Sequence, residues 1–339
     1  SGNDFPRAVL VEDDGSVVVL GDSRSSDLPG AGELSGTTDL FVVRFDPSGA
    51  FQSSRLLGGS GDESGGGIVR DHLGDFWISA GSTSSDITDA QGSHQGGYDA
   101  VVFHLSRDFL TLNGAAYLGG SQDDRSRSLA VTSNGQAVIL YGTTESDDFP
   151  LTDGVIQATR RNRDLFVTRF SRDLTTIEAS TFFGTTGTDS AFKVRTGPSG
   201  AVVLAGSGLA GGMPTTPGAA DLEGKPLCSP YCFSDALVAR LNVTLTRVQY
   251  ATYLASNNGD AARDLQGSVQ VSVGGSTGAG DFPVTQGAWG EEWNLGESSS
   301  SSDAFASRLD LTASMPQVAI SSSEIGWQAV EGSDGYDVI

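Results

Sequence analysis

The feature that most limits what this chain can fold into is a repeat that returns five times. Five segments align: DLFVVRFDPSG from Asp39, DAVVFHLSRDF from Asp99, DLFVTRFSRDL from Asp164, DALVARLNVTL from Asp235 and DAFASRLDLTA from Asp303. The period is roughly 60–70 residues, the length of one supersecondary unit in a repeat architecture. Ahead of each segment lies a strand–turn–strand pattern such as RAVLVEDDGSVVVLGDS or RSLAVTSNGQAVILYGT. The turns DDGS, SNGQ and PSGA carry Gly or Asn where a hairpin needs positive φ. After each of the first four segments comes a further strand and a loop: SSRLLGGSGD, GAAYLGGSQDD, ASTFFGTTGTD and YATYLASNNGD. The fifth copy, SMPQVAISSS, lacks the Gly-Asp ending, and the opening SGND looks like the end of the same loop.

Each unit therefore reads as four antiparallel strands. One such sheet cannot bury both of its faces, whereas copies stacked around an axis do so and leave only short, protected edges. The 339 residues include 46 Gly and just two Lys, Lys193 and Lys225, and no stretch has apolar residues at helical spacing. The expected fold class is all-β: a β-propeller of four-stranded antiparallel blades, five of them in this chain. The blades fall at about 1–59, 60–120, 121–184, 185–255 and 256–319, in one domain over 1–319. The first three strands of a blade read as continuous apolar runs, so burial on both faces is predicted, with a more polar fourth strand at the rim. Gly206-Ser207-Gly208-Leu209-Ala210-Gly211 matches G-x-G-x-x-G. A dinucleotide site needs a helix after these glycines to hold the pyrophosphate, and Met213-Pro214-Thr215-Thr216-Pro217 does not open one.

Net charge is −22 and the sequence pI is about 4.2. Such a surface repels nucleic acid and anionic lipid. It is compatible with cation binding, with a salty environment, or simply with solubility. No apolar run approaches the ~18 residues of a membrane-spanning helix. Cys228 and Cys232, in CSPYC, have no partners at zinc spacing. They fit a small-loop disulfide in an exported protein, or two free thiols. No leader peptide is visible, and the abrupt start fits processing or truncation.

The Asp-led third strand, the YLGGS-x-DD loop and the S-x-x-DFP-x-T loop together resemble the bacterial SBBP repeat, named for a suspected seven-bladed propeller. The resemblance spans about residues 1–319 in five copies. The second copy departs from it with DITD, and the fifth departs at its end. It implies an exported or cell-surface bacterial protein and no defined activity. Five blades close alone, or two more precede Ser1. Residues 320–339 read as a linker and the truncated start of a fibronectin type III-like domain around Trp327, the alternative being a local strand packed on the propeller.

Asp39, Asp99, Asp164, Asp235 and Asp303 recur in every copy, which argues for a structural role as acceptors of loop N–H groups. Five positions on stand Arg44, Arg169, Arg240 and Arg308, with His104 in the second copy. That odd offset puts Asp and Arg on opposite strand faces, so each Arg is expected to reach a carboxylate or carbonyl of a neighbouring strand or blade. The loop carboxylates Asp62, Asp123, Asp124, Asp189 and Asp260, with Asp4 at the start, fit calcium or plain turn chemistry. No other cofactor is expected.

For catalysis the sequence offers His72, His94 and His104 without a metalloprotease, nucleophile-elbow or P-loop motif. Acidic pairs are too common to single out a glycosidase dyad, and the chain is not read as an enzyme. Two non-repeating loops remain. Leu222–Ser234 carries Tyr231, and Trp289–Ser302 carries Trp289 and Trp293. Exposed aromatics there suit protein or sugar binding; the alternative is capping of a blade edge. Asn242-Val243-Thr244 is a formal glycosylation sequon. The function expected from all this is an extracellular or surface scaffold that binds protein partners in a larger assembly. A carbohydrate-binding or carbohydrate-cleaving propeller is the alternative.

Overall fold

A computed structural model describes residues 2–209, 211–225, 233–284 and 302–311. Among them every regular element is a β-strand, and no helix is long and apolar enough to cross a membrane. The chain divides into two compact units. One comprises 1–153, 158–160 and 166–182, the other 154–157, 161–165 and 183–339.

The first unit is built on three sheets. β1 (Asp4–Val11), β2 (Val17–Ser23), β3 (Asp39–Phe45) and β4 (Phe51–Leu57) pair antiparallel in chain order. β5 (Glu63–Arg70), β6 (Phe76–Ser82), β7 (Ala90–Gln91), β8 (Asp99–Leu105) and β9 (Leu112–Leu118) form the second sheet, in which the short β7 lies parallel on the outer edge of β9. β10 (Asp124–Val131), β11 (Ala137–Thr144), β12 (Asp164–Ser171) and β13 (Ile177–Phe182) form the third. In the second unit, β14 (Ser190–Thr196), β15 (Val202–Leu209), β16 (Ser234–Leu241) and β17 (Val248–Leu254) repeat the four-stranded order. β18 (Ala261–Gly267), β19 (Gln270–Thr277) and β20 (Asp303–Asp310) supply three strands of a fifth sheet.

Sheets stack face to face within each unit. Val18, Leu20 and Val42 of the first sheet pack against Ile68, Ile78 and Phe103 of the second. Trp77 and Val102, on the other face of the second, meet Leu129, Leu140 and Phe166. In the second unit Val203 and Val238 pack against Leu265, Val273 and Phe305. The DFP loop explains itself here: Phe149 lies 4.7 Å from Phe166 and 5.9 Å from Phe182, and Phe282 lies 4.4 Å from Phe305. These aromatics plug the loop end of the core.

The turn between third and fourth strands holds at positive φ the residue whose N–H bonds back to the carbonyl three positions earlier. Gly49 (84°) takes that place in the first repeat, but Phe109 (65°), Leu174 (61°) and Leu245 (54°) take it later. A left-handed backbone costs a non-glycine residue about 1 kcal/mol or more. All three side chains are buried, and that burial offsets the strain.

The expectation that the first three strands are apolar on both faces holds for the second and third strands of the first four repeats only; in the fifth, β19 and β20 alternate between buried and more open positions. First strands are mixed, as in β5, with three consecutive glycines and alternating burial, and β18, which is largely exposed. Each first strand carries a bulge at the same place, between Pro6 and Ala8, Gly65 and Gly67, Ser126 and Ser128, Ala191 and Lys193, and Ala262 and Asp264. Neighbouring first strands also approach closely there. A Cβ on Gly66 would sit 2.7 Å from the Ser126 carbonyl, so glycine stands at the bulge of β5.

Candidate functional site

The recurring polar residues converge on the step from one repeat to the next. Asp39, Asp99, Asp164 and Asp235 are buried at the head of their third strands. Each meets the acid that opens the following repeat: Glu63, Asp124, Asp189 and Asp260, also at most 2% exposed. A side chain on Gly58, Gly119 or Gly184 would run into both carboxyl groups of its pair. The fourth pair, Asp235 and Asp260, interacts electrostatically in the same way.

Each acid is held by its own loop. The amide four residues earlier donates to it: Gly59 to Glu63 (3.1 Å), Gly120 to Asp124 (2.6 Å), Thr185 to Asp189 (3.0 Å) and Ser256 to Asp260 (2.6 Å). Hydroxyls add to this, from Ser82 and Ser84 to Glu63 and from Ser146 to Asp124. The third-strand partners accept amides from Ser35, Gln95, Arg161 and Lys225 at 2.6–2.8 Å. A backbone bond runs alongside each pair: the acid's own N–H donates to the carbonyl of Thr38, Tyr98, Arg163 or Ser234, the residue just before the third-strand Asp. A second carboxylate closes the loop from outside. Asp86, Asp148 and Asp281 accept the amides of Ser60, Ser121 and Asn257, each at 2.8 Å.

Burial dominates the electrostatics. It raises the pKa of Asp39, Glu63, Asp99, Asp164, Asp189 and Asp260 above the usual carboxylate range. It pushes Asp124 up to about 6, with Asp99 adding to the shift, and Asp235 up to about 7, with Asp260 and Asp221 adding.

The loop acids picked out for calcium thus separate. Asp124, Asp189 and Asp260 belong to three different buried pairs. Asp62 and Asp123 lie one position earlier and are only half-buried. Asp123 accepts the Tyr98 amide and pairs with Arg125. Asp4 stands in the first repeat where Glu63 and Asp124 stand in the next two, and Ser23 and Ser25 donate to it. Calcium takes six to eight oxygens, whereas the pairs are ringed by N–H and O–H donors, an environment that suits a carboxylate or a carboxylic acid better than a cation. Glu63 escaped the sequence reading because it stands where the other repeats have Asp, directly after the conspicuous Asp62. Among the third-strand aspartates, Asp303 is half-buried.

The arginines reach a different partner in each repeat. Arg44 Nε donates to Glu12 at 2.8 Å and lies over Phe109, with its guanidinium carbon 4.8 Å from the ring centre. Arg169 pairs with Glu178 on the adjacent β13 (2.6 Å), Arg240 donates to the Leu311 carbonyl (3.2 Å), and Arg308 to Gln270 (2.6 Å).

His104, the exception, joins Asp71 and Asp75 in the one group of metal-ligand type among the described residues. Its Nε2 lies 3.2 Å from Asp75, and its ring stacks on Trp77 at 3.9 Å. Asp71 is already saturated. It accepts from Arg172 (2.7 Å), from Trp77 Nε1 (3.1 Å) and from the amides of Leu73 and Asp75. A guanidinium in that position opposes a divalent cation, so the cluster reads as a buried ion network. Burial, reinforced by Arg172, lowers the His104 pKa, and Asp75 counteracts only part of that. Of the other histidines, His72 is exposed in its hairpin turn, and His94 contacts the Gly97 carbonyl (3.2 Å). Cys228, Cys232, Tyr231, Trp289, Trp293 and the tail from Ser321 lie outside the described residues.

No protein-family description and no curated protein matches the chain. Among solved structures it is similar to Kuenenia stuttgartiensis hydrazine synthase, at 9% identity and a TM-score of 0.43, over 90% of this chain and 62% of that one. A Dyadobacter fermentans protein of unknown function is similar at 11% identity and a TM-score of 0.45, over 91% of this chain and 78% of that one. The Dos1 propeller is similar at 11% identity and a TM-score of 0.36, over 79% of this chain and 65% of that one. The chain therefore spans less than two thirds of the hydrazine synthase and Dos1 chains.

Proposed function

We infer that the repeats are blades of a β-propeller, five of them in this chain, and that the propeller is a non-enzymatic scaffold of an exported or cell-surface bacterial protein. Its role is to hold protein partners within a larger assembly. The observation behind this reading is the placement of the recurring carboxylates. They are turned inward, buried in pairs and bonded to their own loops, which serves cohesion rather than turnover. Asp71, in the cluster that most resembles a site, is held by Arg172 and Trp77. The resemblance to SBBP repeats supports export. The strongly acidic composition suits a soluble surface that resists nonspecific association.

The test has two readouts. Purified protein is assayed on chromogenic glycosides, esters and peptides, and against a glycan array. A scaffold turns over none of them, and turnover lost in His104→Ala would overturn the reading. Protease shaving of intact source cells releases fragments of a surface protein. Fragments seen only after lysis would exclude surface display.

A further inference from the structure

Two carboxylates enclosed together cannot both stay ionised unless something neutralises one of them. The Asp164–Asp189 pair gives the geometry of the problem. Both side chains are fully enclosed, and they lie within hydrogen-bonding reach of each other. Asp164 Oδ2 accepts from the Arg161 amide and Gln157 Nε2, and Asp189 accepts from the Thr185 amide and hydroxyl. Asp164 Oδ1 is buried, has no donor, and faces Asp189 Oδ2 across Gly184.

We propose that each inter-repeat acid pair binds one proton, held as an O–H···O bond between a carboxylic acid and a carboxylate, so that the array is clasped at acid and neutral pH and loosens in alkali. At the Asp164–Asp189 pair that proton gives Oδ1 its missing donor. The same two-acid arrangement recurs at Asp39–Glu63, Asp99–Asp124 and Asp235–Asp260.

The other charged and titratable groups facing each pair are few. Asp62 and Tyr117 face the first pair; His94, Asp123 and Tyr117 the second; Arg161, Arg163 and Tyr253 the third; Asp221, Lys225 and Tyr253 the fourth. The cations among them are His94, Arg161, Arg163 and Lys225, and among the described residues none of these forms an ion pair with a paired carboxylate: Arg161 meets its pair through its backbone amide, and Arg163 through the Asp189 carbonyl at 3.3 Å. The direction of the effect follows from linkage. A group that binds its proton more tightly when folded contributes stability that is complete below its unfolded pKa and is lost as pH rises through its folded one.

The experiment is thermal unfolding at constant ionic strength across about pH 4.5 to 8.5, the range spanning free and raised carboxyl values, together with proton release on unfolding in weakly buffered solution near neutrality. The expected result is a Tm that falls steadily with pH, with release approaching one proton per pair. Asp189→Asn supplies an amide donor in place of the proton. It removes one proton from the release and flattens the Tm profile. Asp99→Asn makes the same test at another pair should Asp189→Asn not fold. A Tm that is level or rises with pH, or unfolding without proton release, overturns the proposal. So does millimolar calcium chloride that raises the alkaline Tm and abolishes the release, since a cation would then fill the pairs.

Discussion

Asp164 and Asp189 face one another across Gly184, each fully buried, with the Thr185 amide donating to Asp189 at 3.0 Å. The glycine is there because a methyl group would run into both carboxyl groups. Gly184→Ala is therefore expected to destabilise by about 1–3 kcal/mol, the usual cost of overpacking a closed site. In the fourth repeat the corresponding residue is already Ala255, and Ala255→Gly should change stability by no more than about 1 kcal/mol. Urea unfolding of the two variants checks the contrast.

Ile68 and Val9 occupy the same register position, opposite Ile78 and Val19. Ile68 is 8% exposed inside the first core cluster, while Val9 is 67% exposed. Ile68→Asp buries a charge with no partner and is expected to cost more than about 3 kcal/mol. Val9→Asp should stay within about 0.5 kcal/mol of the parent. Paired denaturation curves test this, and equal losses would show that Val9 is covered in solution.

The repeat arginines should differ in importance despite their shared position. Arg44 is sandwiched between Glu12, whose side chain is mostly buried, and the Phe109 ring, so Arg44→Ala is expected to cost about 1–2 kcal/mol. The partner of Arg169, Glu178, is solvent-accessible, and Arg169→Ala should cost less than about 1 kcal/mol. Differential scanning calorimetry separates the two.

The His104 imidazole should titrate below the free value of about 6.5, because burial and Arg172 both oppose its charge. A group with a depressed folded pKa of this kind removes stability as pH falls below its unfolded value, the opposite sense to the acid pairs. NMR titration of the ring protons measures the midpoint. Arg172→Met should move it upward, and an unchanged midpoint would assign the shift to burial alone.

The sheets were readable in the sequence because their signals are local. Each hairpin turn and each Asp-led strand, such as Asp164–Ser171, is spelled out within about ten residues. The first strands were misjudged because the glycines of β5 answer to a neighbouring strand, near Ser126, that no local pattern reveals. Asp39, Asp99, Asp164 and Asp235 were singled out by their recurrence. Their pairing was not legible, since Glu63 and Asp189 lie one loop further along the chain and resemble ordinary turn acids. The Asp71–Arg172 contact, joining residues 101 positions apart in adjacent repeats, left no trace in spacing at all.

The acid pairs also have a consequence for how such a chain grows. Each repeat brings an acid at its leading end and a matching aspartate at the head of its third strand, and the backbone bond beside them uses groups that every residue has. Duplicating or deleting one whole period, cut between the same two residues of successive loops, therefore leaves each remaining junction chemically complete. Array length becomes a freely variable character under recombination, whereas a cut made out of phase strands half a junction at each break.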